Sequence, residues 1–275
     1  MESLSPTDIS TSLMSDIKQN VAAFSIGLVR ISTDRADAEL LGSGTLVQVL
    51  GKRAILTAHH VLEVLPKSGE LGLVLSSNAG APTVSVEALK YLQIDRGLSD
   101  EAGPDLGAIV LPPIVPSSLA AKKSFLNLTV RRERMLNGPP AADNGLWCLC
   151  GLQSALTEDS KPAFGFTRVK RFRGFCPVGG VEVAPPVEMH DYFTFPIPHG
   201  KGSPLPDRIG GTSGGGLWQC LLSRAPDGSL EVSECLFSGL AFYQGPIDGG
   251  WSPVRCHGRK SIYGAAYDAI AAAQG

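Results

Sequence analysis

Apolar positions along this chain come in short runs, at residues 23–31, 44–50, 54–57, 71–75, 106–111, 146–152 and 236–242, with Gly, Pro, Asn and Asp scattered between them. Short apolar runs at this spacing, without a repeated strand–helix alternation, predict an all-β sandwich or barrel. Two segments carry a helical period instead. Ile9, Leu13, Ile17 and Val21 recur every four residues behind a Ser-Pro-Thr-Asp start signal at residues 5–8. Near the other end, Ser261 is placed to cap a helix through Tyr263, Tyr267 and Ile270 in an alanine-rich stretch. Between them, residues 122–144 are polar and basic, with Arg131-Arg132-Glu133-Arg134 and Gly138-Pro139-Pro140, and read as the connection between two β halves. The predicted division is a helical extension at 1–20, β units at 21–121 and 145–258, and a helix at 259–275.

Composition sharpens the class. Hydrophobic residues make up 43% and charged residues 18% of 275, enough for a sizeable core and too apolar for disorder. A net charge of −2 suggests neither a nucleic-acid nor a membrane partner. The basic residues Arg168, Lys170, Arg171 and Arg173, alternating with Val169 and Phe172, read as a solvated strand face. Residues 1–8 lack the charge and apolar run of a signal peptide, and no stretch reaches the ~18 apolar residues of a membrane span. The expected location is cytoplasmic. The six cysteines do not read as a disulfide scaffold. Cys220 and Cys235 are equidistant from Asp227-Gly228, a favoured two-residue turn, and so would face each other across a hairpin, expected as thiols.

Three segments carry chemistry. An apolar run ends in Thr57-Ala58-His59-His60. A single acid opens Asp105-Leu106-Gly107-Ala108. A serine sits among glycines in Gly211-Thr212-Ser213-Gly214-Gly215. Serine becomes a nucleophile when a histidine takes its proton, and a carboxylate on the other ring nitrogen fixes the tautomer and stabilises the imidazolium. Flanking glycines permit the backbone angles that aim two N–H groups at a developing oxyanion.

Together these segments resemble the three signatures of the trypsin-like (chymotrypsin-fold) serine peptidases, in the order His, Asp, Ser, over about residues 22–250. The resemblance implies two six-stranded antiparallel β-barrels with a triad of His60, Asp105 and Ser213 in the cleft between them. It implies an oxyanion hole from the N–H groups of Gly211 and Ser213, and a substrate-binding strand over Ala241, Phe242, Tyr243 and Gln244 that pairs with the peptide backbone. No metal or organic cofactor is needed. The partners expected are a protein or peptide substrate and a regulatory protein, with no nucleic acid and no membrane. Asp207, six residues before Ser213, falls where the trypsin pattern carries the acid that selects Lys or Arg, so a basic-residue preference is expected. Arg208 could neutralise that acid or enter the pocket itself, and Gln244 could narrow the pocket edge. Thr212 stands where digestive members carry an aspartate that pairs with a newly cut N-terminus. With no Ile-Val-Gly-Gly start, activation by N-terminal cleavage is not expected, and the chain looks more like the bacterial and intracellular branch.

Two other readings remain open. Gly211-Thr212-Ser213-Gly214-Gly215 also fits the nucleophile elbow of an α/β-hydrolase, which needs a strand–turn–helix at Ser213 and a downstream base, His257. The same trypsin-like fold could also serve as a non-catalytic binding module. His190, His199 and His257 are otherwise expected to be surface or satisfied histidines.

Overall fold

The computed structural model describes residues 9–32, 37–75, 81–160, 169–199 and 206–274. The chain is mostly strand, arranged as two antiparallel sheets of eight strands each among the described residues. The first contains β1 (Ser25–Ile31), β2 (Ala38–Val49), β3 (Lys52–Thr57), β4 (Glu70–Val74), β5 (Thr83–Ser85), β6 (Lys90–Arg96) and β7 (Asp105–Val110) in the order β5-β4-β1-β2-β3-β7-β6. A short parallel β8 (Leu126–Asn127) joins β2 from the side. The second contains β9 (Leu146–Ser160), β10 (Val169–Phe175), β11 (Val178–Gly179), β12 (Glu182–Val187), β13 (His190–Pro198), β14 (Gly216–Arg224), β15 (Leu230–Gln244) and β16 (Trp251–His257), in the order β10-β9-β14-β15-β16-β13-β12 with β11 on β9. This is the all-β, two-barrel arrangement of the chymotrypsin-like fold. Each sheet has more strands than the expected six: β5 and β8 account for the excess in the first and β11 for one of the two extra strands in the second, all pairings of two or three residues, too short to leave a hydrophobic signature.

The strand period of two sorts most buried side chains into three large cores, with a small fourth cluster of Val29, Val74, Leu152 and Phe172. Ile26, Leu28, Leu46, Ile55 and Ile109 fill the first sheet's interior. Trp147, Leu149, Phe195, Leu217 and Val254 fill the second. The opposite faces of the same strands, including Leu56, Leu106, Cys148 and Trp218, form the third core, where the sheets and terminal helices meet. Helix α1 (Thr11–Ala22) adds Leu13, Ile17 and Val21 to it, each no more than 1% exposed. Its cap is Ser10, whose Oγ accepts the Leu13 N–H at 3.1 Å. The expected start signal at residues 5–8 lies outside the described residues.

Two local expectations are corrected. The stretch 122–144 contains a helix, α4 (Leu128–Asn137), capped by Asn127 and seated by buried Leu128 and Met135. Its basic run is tied down: Arg131 and Arg134 both reach Glu234, and Arg132 reaches Asp268. At the C-terminal end, Ser261 is the first residue of a π-turn (Ser261–Ala266) leading into α5 (Tyr267–Ala272). Ser261's own N–H is capped by the Asp191 carboxylate at 3.0 Å, a partner 70 residues away that no local pattern could indicate.

Of the basic stripe, Arg168 lies outside the described residues. Phe172 is buried, while Lys170 and Arg173 pair with Asp37 and Glu158. No helix among the described residues is long and apolar enough to cross a membrane.

Candidate active site

The apolar strand β3 ends at Thr57, and after Ala58 the chain turns into helix α2 (His59–Val64), so His60 occupies the helix's first turn. That turn is fixed to the start of β7 by one carboxylate. Asp105 Oδ1 accepts the His60 backbone N–H at 2.9 Å, and Oδ2 lies 2.6 Å from His60 Nδ1. A carboxylate there places the ring proton on Nδ1 and leaves Nε2 as the base. Asp105 is fully buried, and its own backbone N–H donates to His257 Nε2 at 3.0 Å. Burial works to raise the Asp105 pKa, but the hydrogen bonds and charge of His60, with the Arg96 guanidinium, outweigh it and hold the carboxyl below its ordinary value.

Arg96 and His257 were not singled out as parts of the site by the sequence reading. Arg96 Nη1 lies 3.2 Å from Asp105 Oδ2, while Nη2 meets Asp100 at 2.8 Å and Glu63 at 3.7 Å. His257 is buried under Phe242, Tyr192 and His190, with ring centroids 4.7 to 5.3 Å away. Burial, reinforced by His190, pushes its pKa down to about 3, so it is neutral and can accept from Asp105. His257 is remote in sequence from every motif, whereas Arg96 lies nine residues before Asp105 and is its direct partner across the β6–β7 pair. His190 is buried between Asp95 (2.8 Å) and Ser261 (3.1 Å), and His199 Nε2 pairs with Ser252 at 2.7 Å. All three therefore have partners, and none is a surface histidine.

The Ser213 turn is built from backbone. Gly211 has φ +89° and Gly214 φ +85°, in the left-handed region that only glycine enters freely. A Cβ on Gly214 would stand 2.1 Å from the Ser43 carbonyl oxygen. The carbonyls of the turn are drawn inward. Ile209 O accepts Thr212 N–H, Gly210 O accepts Ser154 N–H, Gly211 O accepts Ser43 Oγ–H, and Thr212 O accepts Gly215 N–H. With the carbonyls so committed, the N–H groups of Gly211 and Ser213 have no acceptor among the described residues. Thr212 is buried and donates to Leu152 O at 3.3 Å, so this position is satisfied locally without a buried ammonium partner.

Ser43 joins the two halves. Its N–H donates to Ser213 O at 2.8 Å and its Oγ–H to Gly211 O at 2.7 Å. Its Oγ also accepts Leu152 N–H at 2.8 Å, and its carbonyl accepts Thr57 Oγ1–H at 2.8 Å. Through Thr57 this hub reaches the segment that carries His60. The small-residue run Gly42-Ser43-Gly44 was the available sequence signal, since close packing of this kind needs small side chains. No hydrogen bond joins Ser213 Oγ to His60 Nε2 among the described residues, a contact that tightens in serine hydrolases when substrate binds.

Beside Ser213 lies a cavity of about 90 Å³ lined by Ile209, Gly210, Thr212, Ala241, Phe242, Tyr243, Gln244 and Val254. The structure thus brings the expected strand segment Ala241–Gln244 to the serine. Ala241 is still tied to the serine turn, its N–H donating to Gly215 O and its carbonyl accepting from Gly214 N–H, and past it the strand pairs with β16 alone, leaving the outer edge of Phe242–Gln244 open among the described residues.

Asp207 and Arg208 are not brought into the cavity. Both are exposed, the Asp207 side chain at 86%, and they line the adjoining groove with Gly245, Pro246 and Ile247. The reason is the Gln244 amide: its Oε1 accepts Ile209 N–H and its Nε2 donates to Asp207 O and Ser252 Oγ, fixing the loop with its acidic side chain outward. The expected charge partner for a basic substrate residue is therefore absent from the cavity.

No strand–turn–helix surrounds Ser213, because strand β14 follows it and His257 serves Asp105 instead. An α/β-hydrolase elbow is thereby ruled out.

No protein-family model and no curated protein matches this chain. Among solved structures it is similar to the active form of the Rv3671c protease from M. tuberculosis, at 14% identity and TM-score 0.45, covering 100% of this chain and 95% of that one. It is also similar to a structure described under the coupled folding and binding of the intrinsically disordered Sesbania mosaic virus VPg protein, at 15% identity and TM-score 0.46, over 89% and 90%. At these scores the likenesses carry no functional assignment.

Proposed function

We propose that this protein is a serine endopeptidase with His60, Asp105 and Ser213 as its triad. The observation that carries this reading is the double hydrogen bond from His60 to buried Asp105, linked through Thr57 and Ser43 to a serine turn in which the N–H groups of Gly211 and Ser213 are left without acceptors among the described residues. Ser213 Oγ attacks the substrate carbonyl carbon as His60 Nε2 takes its proton. Asp105 holds the Nδ1 proton and stabilises the imidazolium. The N–H groups of Gly211 and Ser213 receive the oxyanion. His60 then gives its proton to the leaving amine, and water releases the acyl group by the same steps in reverse.

The peptide lies along the open edge of Phe242–Gln244 by strand addition. Its residue before the scissile bond enters the cavity beside Ser213, which has no charged side chain in its lining. At about 90 Å³, and with a single water needing roughly 10–15 Å³, the cavity takes a short uncharged side chain in preference to Lys or Arg.

Labelling with a fluorophosphonate, read by mass spectrometry, tests the reading. One adduct on Ser213 is expected, absent from Ser213→Ala and His60→Ala. A peptide library then reads the preference. Intact, folded protein that takes up no label would overturn the peptidase reading. It would favour a second one, a partner-gated or non-catalytic protein-binding module, for which the missing Ser213–His60 hydrogen bond is the specific support.

A further inference from the structure

Five of the six cysteines form one row of sulfurs. Cys148 and Cys150 lie two residues apart on β9, and Cys176 is near enough to both for its ionisation to be linked to theirs. Cys220 Sγ lies 4.0 Å from Cys148 Sγ and 3.4 Å from Cys235 Sγ. All are free thiols; Cys148, Cys150 and Cys220 are buried, whereas Cys176 and Cys235 are partly exposed. A strung-out row is not a coordination shell, and no group of three or more His, Cys, Asp or Glu among the described residues is placed to hold a metal.

Within the row one pair is distinguished by register. Cys220 and Cys235 are directly opposed on β14 and β15. Directly opposed residues in antiparallel strands have Cα atoms roughly 4.5–5.5 Å apart, inside the ~4.4–6.8 Å span of disulfides. Cys148 is opposed to Trp218, so it meets Cys220 only diagonally.

We propose that Cys220 and Cys235 are an oxidisable dithiol that closes into a disulfide across the β14–β15 hairpin on meeting a low-molecular-weight disulfide. The partly exposed Cys235 thiolate attacks one sulfur of that reagent, forming a mixed disulfide and releasing one small thiol. Cys220 thiolate then attacks the Cys235 sulfur and displaces the second. The protein gives up two electrons and two protons, and the reagent leaves as two thiols. Hydrogen bonds from Cys148 and Cys235 lower the Cys220 pKa against the opposing effect of burial, while the same Cys220 contact raises that of Cys235, so the attack by Cys235 is the slow step and the closing attack by Cys220 the favoured one. The Cys220–Cys235 sulfurs need to approach by only about 1.4 Å. The resulting staple would span the hairpin that starts just after Ser213 and ends in the segment Ala241–Gln244.

The test uses the full chain, reduced and then equilibrated with excess oxidised glutathione, with differential alkylation, peptide mass spectrometry and thermal unfolding. A Cys220–Cys235 linkage is expected, with Tm raised by several degrees and the change reversed by dithiothreitol. Cys235→Ser should abolish both effects, and Cys148→Ser should keep both. Free Cys220 and Cys235 after oxidation, a persistent glutathione adduct on Cys235, or a Cys148–Cys220 linkage would each overturn the proposal. None of these readouts depends on peptidase activity.

Discussion

The two halves of the candidate site are held by different forces. On the first sheet, His60 and Asp105 are joined by side-chain hydrogen bonds around a fully buried carboxylate, with Arg96 supplying positive charge and His257 a neutral acceptor. On the second sheet, Ser213 is positioned by the backbone: two left-handed glycines, four committed carbonyls and the Ser43 bridge. Electrostatics therefore fix the His60–Asp105 pair, whereas chain conformation fixes Ser213 and the two N–H groups beside it. A buried charge pair is sensitive to which groups carry protons, and a glycine turn is sensitive to volume and to lost backbone partners. The two halves should accordingly fail in different ways.

The largest effect should come from the first half. Asp105→Asn keeps the shape but favours the wrong His60 tautomer, and a fall in kcat of about 10⁴-fold is expected. Steady-state kinetics on the best library peptide would read it, and a fall of less than tenfold would dissolve the electrostatic half of the comparison.

Next in size is the bridge. Ser43→Ala leaves Gly211 O and Leu152 N–H without their Oγ partner in a fully buried position. Stability should drop by about 2–6 kcal/mol, from ~1–3 kcal/mol for each of the two orphaned groups, measured by urea unfolding. Fluorophosphonate labelling of the folded fraction should slow as well. Loss of stability with unchanged labelling would separate the bridge from the geometry of the serine turn.

The smallest effect at neutral pH, and the one most specific to the first half, concerns His257. Its folded pKa is depressed from 6.5 to about 3, chiefly by burial. The unfolded chain therefore binds a proton that the folded chain refuses. The neutral histidine's contribution is fully present above pH 6.5 and is lost as pH falls from 6.5 toward 3, at up to about 1.4 kcal/mol per pH unit. Of the groups facing it, His190 adds to the depression, while Asp105 and Asp95 oppose it. Asp105, whose pKa is lowered, adds a further loss below its ordinary value of 3.8. Urea midpoints from pH 7 to pH 3.5 should slope steeply for the natural chain and less steeply for His257→Gln, whose amide oxygen can still accept from Asp105 N–H. Parallel slopes would show that His257 is not the titrating group.

The comparison also separates what was legible in the sequence. The Ser213 turn could be read locally, because unusual backbone angles leave glycines as their trace. His60 and Asp105 could be read because each stands at the end of an apolar run. The Cys220–Cys235 pairing was legible from turn symmetry, although the turn itself is longer than two residues: Arg224 pairs with Leu230, and a bulge after Leu221 restores the register. Asp207 misled, because its place six residues before Ser213 says nothing about the direction of its side chain, which the Gln244 amide decides.

By itself the sequence determined the β class, the three chemical residue types and their order, the core-facing positions of α1, and the pairing of two cysteines. These are set by local backbone preference and by the period of burial. Only the tertiary structure decided that Arg96 and His257 meet Asp105, that Ser43 ties the serine turn to the histidine segment, that five thiols share one row, and that the cavity beside Ser213 is uncharged. Most of these join residues dozens of positions apart, and even Arg96 meets Asp105 only through the pairing of β6 with β7, so such contacts exist only once strands have paired and the two sheets have packed.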